Sequence, residues 1–369
     1  MLRIAGRGRV AEGARSAAVS PHHSRVPWRF LSRFRFRLAL GSAVAVMVSA
    51  SAAAFPGTSP LPLLAPQRAD AAADYPMRIV AYLANSGSGT VATFDVRLER
   101  SVGSTEVGTG PTGVGAAPDG SQVYVANGGS DTVSFIETSR HKVVATVPVG
   151  AYPFSASPSR DGRRVFVANW GSDNVSVIDT ASRRVVATSP VGELPHSIAT
   201  VPQGQAYVTN SGTNDVTVLS EEYQPLARIP VGDFPSGITA TAKGERVYVA
   251  NTGSGTISVI DTATSKVTET WAVGKGPVGL GVSPDGRRLY ATDSGADVLL
   301  IIDTTTGRVL ARVPVGKTPQ GLAVSPGGSR VWVTNEESDT VTVIDPTLAK
   351  VRATLGTGHH PEGIAITPR

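Results

Sequence analysis

Seven times along this chain an apolar run closes on Asn or Asp, at Asn85, Asn127, Asn169, Asn210, Asn251, Asp293 and Asn335, at intervals of 42, 42, 41, 41, 42 and 42 residues. A proline opens another run on the same beat, at Pro111, Pro153, Pro195, Pro235, Pro277, Pro319 and Pro361, at intervals of 42, 42, 40, 42, 42 and 42. Two markers that keep step independently leave few folds open. The clearest copy reads as strand-length runs rich in Val, Ile and Thr: Gly321–Ser325 (strand a), Val331–Asn335 (b), Thr340–Asp345 (c) and Val351–Leu355 (d). Each break between them carries the Gly, Pro, Asn or Asp chemistry of a turn. Repeats of about 40 residues with four strands are propeller blades. The pattern therefore predicts an all-β, seven-bladed β-propeller with four-stranded blades.

The phase of the repeat predicts how the ring closes. The first unit starts at strand b, Arg78–Asn85, and the chain ends on a strand a alone, Gly363–Thr367. The C-terminal strand is thus expected to join three N-terminal ones in a single blade, leaving no open innermost edge. Strands b and c read almost continuously apolar, as sheets covered on both faces do. The a–b turns at 118–120 and 284–286 are Pro-Asp-Gly, in which Gly supplies positive φ for a hairpin bulge.

The literal YVTN at Tyr207–Asn210, the VTN of Val333–Asn335 and the YVAN copies at 124–127 and 248–251 resemble the YVTN-repeat family of seven-bladed propellers, over residues 78–369. The Gly-His and Trp-Asp signature of WD40 repeats is missing. The resemblance implies the propeller fold and a bacterial-envelope or surface-layer-like setting. It does not imply a reaction, since haem d1 proteins, quinone-dependent amine dehydrogenases and lactonases share the architecture.

The pI near 9.6 suggests a nucleic-acid binder, but the positive charge is misplaced for that role. Nine arginines against one acid precede Ala54, a net of +8, which leaves the rest of this +5 chain at −3. A mildly acidic remainder has no basic field to hold phosphate backbones, so no nucleic-acid partner is expected. Absence of cysteine excludes disulfides, thiolate metal sites, covalent haem attachment and a Cys nucleophile. The arginines belong to an export signal: Arg29, Arg33, Arg35 and Arg37 precede the apolar run Leu38–Ala54, which ends in small residues. Residues 1–54 are read as a secretory signal peptide, 55–77 as an Ala/Pro-rich disordered tether, and 78–369 as the propeller. A secreted, extracytoplasmic protein follows, touching the membrane only through its signal.

If the consensus builds the scaffold, function belongs where one copy departs from the others. Strands that alternate in direction put the d–a and b–c loops on one face, at the mouth of the central channel. There Tyr152, Phe154, Leu194, His196 and Phe234 span three consecutive blades, joined by Trp170. Lys275 and Lys317 come next around the ring, then Glu336, Glu337, His359, His360 and Glu362. An aromatic sector facing a charged one suits a small ligand, with rings for flat contact and charges for orientation. The expected ligand-binding set is Tyr152, Phe154, Trp170, His196, Phe234, Lys275, Lys317 and Glu362.

No HExxH, no complete P-loop (GxxxxGK[S/T]) and no GxSxG motif is present. No cofactor is expected, and His359 and His360, adjacent on a strand entry, make only a weak metal pair because they point apart. The leading expectation is a secreted or envelope scaffold that binds a small molecule or an extracellular protein at the mouth. The alternative is a propeller enzyme at the same place. It would be a lactone hydrolase or lyase using His196, His360 and Glu362, or a holder of a non-covalent redox cofactor with His196 as axial ligand.

Overall fold

The computed structural model describes residues 79–368. The expected signal peptide and tether lie outside the described residues. The described strands form seven antiparallel four-stranded sheets, each in the order a-b-c-d. In the last full blade these are Pro319–Val324, Val331–Asn335, Thr340–Asp345 and Lys350–Gly356. The ring closes as the repeat phase predicts: strand Pro361–Ile366 pairs antiparallel with Val80–Asn85, Ala81 lying opposite Ile366 and Leu83 opposite Ile364. We number as blade 1 the sheet that holds both termini of the ring, and count along the chain to blade 7.

Strands b and c are buried along nearly their whole length, while strand d alternates or is exposed. The reason is that apolar side chains leave both faces of each sheet, and each face needs a neighbour. The core accordingly divides into seven apolar clusters, one at each blade–blade interface. One position of strand b supplies a large side chain to every interface; Tyr82, Tyr124, Tyr207, Tyr248, Tyr290 and Trp332 are among the largest fully buried groups.

Strands a line the channel, packed against one another with little room between them. A Cβ on Gly321 would lie 2.4 Å from the Glu362 carbonyl oxygen of the next blade, and one on Gly363 only 2.3 Å from that of Thr112. The marker Asn ties loop to sheet. Asn335 Nδ2 donates to Thr340 Oγ1 (3.1 Å) and Thr342 Oγ1 (2.9 Å), and its Oδ1 accepts from Gly316 N (3.0 Å). Blade 6 carries Asp293 instead, with Val298 and Leu300 where the hydroxyls would stand. A carboxylate has no N–H to give, so it only accepts, from the amides of Lys275 (3.0 Å) and Gly276 (2.9 Å). The sequence is self-consistent there: donor and acceptors have disappeared together.

Candidate functional site at the channel mouth

The residue before the marker proline adopts a left-handed backbone in most blades, with φ of 48° at Tyr152, 49° at Phe234 and 52° at His360. Such a conformation is costly for a bulky side chain. A carboxylate or amide oxygen of the preceding blade holds it: Asp131 Oδ1 accepts from Tyr152 N (2.8 Å), Asn214 Oδ1 from Phe234 N (2.8 Å) and Asp339 Oδ1 from His360 N (2.8 Å). Because the device recurs around the ring, it is scaffold; what varies is the side chain that it presents.

Two rings of seven positions meet at this mouth, one residue after each marker proline and one after each marker Asn or Asp. Most members are small or have turned their hydroxyls to nearby backbone or to each other, as Ser236 Oγ does with Thr252 Oγ1 (2.5 Å). The large or ionisable members are Phe154 and Trp170 on blade 3, His196 on blade 4, Gln320 and Glu336 on blade 7, and Glu362 on blade 1. Blades 3 and 4 stand as far from 7 and 1 as a seven-membered ring allows. An aromatic wall therefore faces an acidic one.

On the aromatic side, Phe154 and His196 stack with ring centroids 4.0 Å apart and an interplanar angle of 38°. Burial holds the His196 imidazole down at about 4, so it is neutral at ordinary pH. Its Nδ1 lies 3.0 Å from Ser197 Oγ, leaving Nε2 as the other polar atom of the ring. Tyr152 packs on Trp170, centroids 5.6 Å apart. Its ring also lies over blade 2, where a Cβ on Gly128 would be 3.5 Å from Tyr152 Cε1.

On the acidic side, Glu362 is the unusual group. Burial pushes its carboxyl up to about 7; the Glu336 charge adds to this, and a hydrogen bond from Ser86 opposes it. Glu362 also reaches electrostatically across the mouth: burial first, then the Glu362 charge, raises the Tyr152 phenol. Glu336 is fixed by Gln320 Nε2, which donates to Oε2 at 2.7 Å, while His360 Nδ1 stands 3.8 Å from Oε1. Thr334 Oγ1, from the literal VTN of blade 7, donates to the Glu362 carbonyl at 2.6 Å.

The structure thus draws Tyr152, Phe154, Trp170, His196 and Glu362 together around one mouth. Phe234 is 45 % exposed on the loop that enters blade 5, apart from the stacked pair of Phe154 and His196. Lys275 is exposed on the rim, and Lys317 is turned to an ion pair with Asp297 (2.7 Å). His359 and His360 diverge, the first pairing with Asp339 (2.8 Å) and the second facing Glu336. Among the described residues no group of three or more His, Cys, Asp or Glu is gathered as metal ligands. Sequence reasoning missed Ser86 and Gln320, which look ordinary singly. Reading the residue after each marker through all seven copies finds both.

On the opposite face, interblade clefts of about 320 Å³ (with Arg160, Arg164 and Tyr223) and about 430 Å³ (with Lys243, Arg246 and Asp285) open between blades 3 and 4 and blades 5 and 6. Arg164 is already committed there to Asp179 and to Tyr223 Oη.

The fold and its mouth define a seven-bladed β-propeller with a mixed aromatic and acidic channel entrance. The family model described as lactonase, 7-bladed β-propeller, matches residues 141–363, more than half of the chain, and the chain belongs to that family. A YNCE-like β-propeller model matches residues 65–205. Neither model is the YVTN-repeat family, so that resemblance holds at the level of the propeller.

A comparison by sequence with curated proteins gives no significant match. Among solved structures, the chain is similar to the periplasmic gluconolactonase of Pseudomonas aeruginosa (22 % identity, TM-score 0.67, covering 79 % of this chain and 99 % of that one). It is also similar to a functionally unknown protein from Desulfotomaculum acetoxidans (16 %, TM-score 0.71, covering 79 % and 99 %). Kuenenia stuttgartiensis hydrazine synthase is a third (22 %, TM-score 0.65, covering 72 % and 91 %). At these identities the likeness is one of fold.

Proposed function

We propose that the channel mouth binds a small cyclic ester and hydrolyses it, with Glu362 as the general base. The observation that carries this reading is a carboxyl set in the mouth near a second one, Glu336; burial pushes its pKa up to about 7, where a general base works best. Membership of the lactonase propeller family favours the enzyme over a pure binding scaffold. In the reaction, Glu362 takes a proton from water as the water oxygen attacks the ester carbonyl. The ring C–O bond then breaks, and the proton passes to the departing oxygen, giving an open hydroxy acid. The aromatic wall of Tyr152, Trp170 and Phe154 would hold the ring, and neutral His196 offers a hydrogen bond rather than a charge.

The export-like segment 1–54 supports action outside the cytoplasm, as does the likeness to a periplasmic gluconolactonase. Among the described residues no helix is long and apolar enough to cross a membrane.

The test is hydrolysis of glucono-1,5-lactone followed by base consumption at constant pH, after subtraction of the spontaneous rate. The expected kcat/KM rises through about pH 7, and Glu362→Gln lowers it about 100-fold or more. A rate no greater than the spontaneous one, or full activity in Glu362→Gln, would overturn the assignment.

A further inference from the structure

We propose that Glu336 makes the mouth selective by charge, so that it takes uncharged or cationic ring compounds and rejects those carrying a phosphate or carboxylate. This rests on the mouth being a small-molecule site, as above, but not on turnover. In the ring of residues that follow the marker Asn or Asp, the members are small except for Trp170 and Glu336. These two stand on blades 3 and 7, across the channel from each other, so a ligand lying on the aromatic wall presents its far side to Glu336.

That carboxylate is not free to swing away. Gln320 Nε2 holds its Oε2 at 2.7 Å, which leaves Oε1 with only the more distant His360 ring at 3.8 Å. Glu362 on the adjoining blade doubles the negative charge, and the two are close enough to feel each other. Apart from the His360 ring, 3.8 Å from Glu336 Oε1, the basic groups at this level are turned elsewhere. Lys317 is tied to Asp297 at 2.7 Å and His359 to Asp339 at 2.8 Å, both on the exposed rim, and Lys275 is exposed. A second anion brought beside two carboxylates is repelled over distances shorter than the screening length. A hydroxyl can donate to Glu336 instead, and an ammonium can both donate and sit over an aromatic face.

The experiment is calorimetric binding at pH 8, using hydrolysis-resistant six-membered sugar lactams that differ only at the exocyclic carbon: hydroxymethyl, aminomethyl or carboxylate. The hydroxymethyl and aminomethyl compounds should bind at least about tenfold more tightly than the carboxylate, a ratio set by one like-charge contact. In Glu336→Gln, isosteric and able to keep a hydrogen bond with Gln320, the ratio should fall to the smaller value that ionised Glu362 alone sustains; in Glu336→Lys it should invert. Equal or tighter binding of the carboxylate by the native chain overturns the proposal, and so does a preference that survives in both variants. A carboxylate preference that vanishes in Lys275→Ala would give the selecting role to the rim lysine. Selective binding without hydrolysis of the matching lactones would sink the hydrolase reading and leave this one standing. If none of the three lactams binds, both fail.

Discussion

Glu362 sets a cost and an opportunity in the same side chain. Its folded carboxyl titrates at about 7 against an ordinary 4.5. Below pH 4.5 it is protonated in both the folded and the unfolded chain, and contributes no difference. Between 4.5 and about 7 the folded state binds more proton than the unfolded one, so stability falls as pH rises through that window and stays reduced above it. Burial and the neighbouring Glu336 charge are the causes, and the net shift corresponds to about 3 kcal/mol. Glu362→Gln removes the ionisation but keeps the shape. Its melting temperature should match that of the native chain near pH 4.5 and exceed it by a few degrees at pH 8. Differential scanning calorimetry across this range decides the matter; parallel curves would mean that the carboxyl is more hydrated than the structure implies. A group that costs stability at neutral pH, at a place where the ring departs from its consensus, is what a site is expected to contain.

At the scale of the strand, the inner elements carry the tightest constraint. A Cβ on Gly321 would meet the Glu362 carbonyl oxygen at 2.4 Å, and backbone cannot step aside as a flexible side chain can. Gly321→Ala should therefore cost about 1–3 kcal/mol, while Gly327→Ala, with nothing within 4 Å, should melt like the native chain. Equal melting of the two variants would show that the inner strands can separate. Strands b and c of this blade fall where the sequence places them, at Val331–Asn335 and Thr340–Asp345, because their apolar runs end abruptly in turn residues. Strand a begins two residues earlier than Gly321, at the proline itself. Proline lacks an N–H and looks like a strand's boundary, yet it can open an edge strand, and strand a is the edge that faces the channel. Strand d extends to Lys350–Gly356 because its exposed alternation carries little apolar signal. The site was legible where a bulky or ionisable residue broke the consensus, as Trp170 and Glu362 do. Ser86 and Gln320 did not stand out, because their importance lies in what stands next to them. The Thr of the VTN motif was equally silent: it supports the Glu362 backbone from the neighbouring blade, a contact that repeat spacing alone does not show.

The whole ring depends on eight or so residues at its C-terminal end. Strand Pro361–Ile366 is the inner strand of blade 1, and it packs on the inner strands of blades 7 and 2. It is latched at its far end, where Val80 N donates to Thr367 Oγ1 (3.0 Å) and Thr367 N to Val80 O (2.9 Å). A second link between blades 7 and 1 lies further out, where Glu99 takes Arg330 Nε at 2.7 Å and Arg352 Nε at 3.0 Å. These ion pairs are partly exposed and contribute modestly; the strand closes the ring. Removing Pro361–Arg369 would bare the edge of Val80–Asn85 and open the apolar interface that holds Trp332, Leu83 and Ile364. The truncated chain should melt more than about 10 °C lower or aggregate, as read by calorimetry and light scattering, and an unchanged melting curve would overturn this account of closure. A circular permutant separates closure from mere loss of contacts. Residues 361–368 placed ahead of Ile79 through a short turn would restore blade 1 as an ordinary a–b hairpin, since the two strands are antiparallel and Thr367 already lies beside Val80. It should fold and melt close to the native chain. With Glu362 back in the mouth, it should also recover whatever binding and hydrolysis the native chain shows. A permutant that folds but stays inactive would place the function elsewhere on the ring.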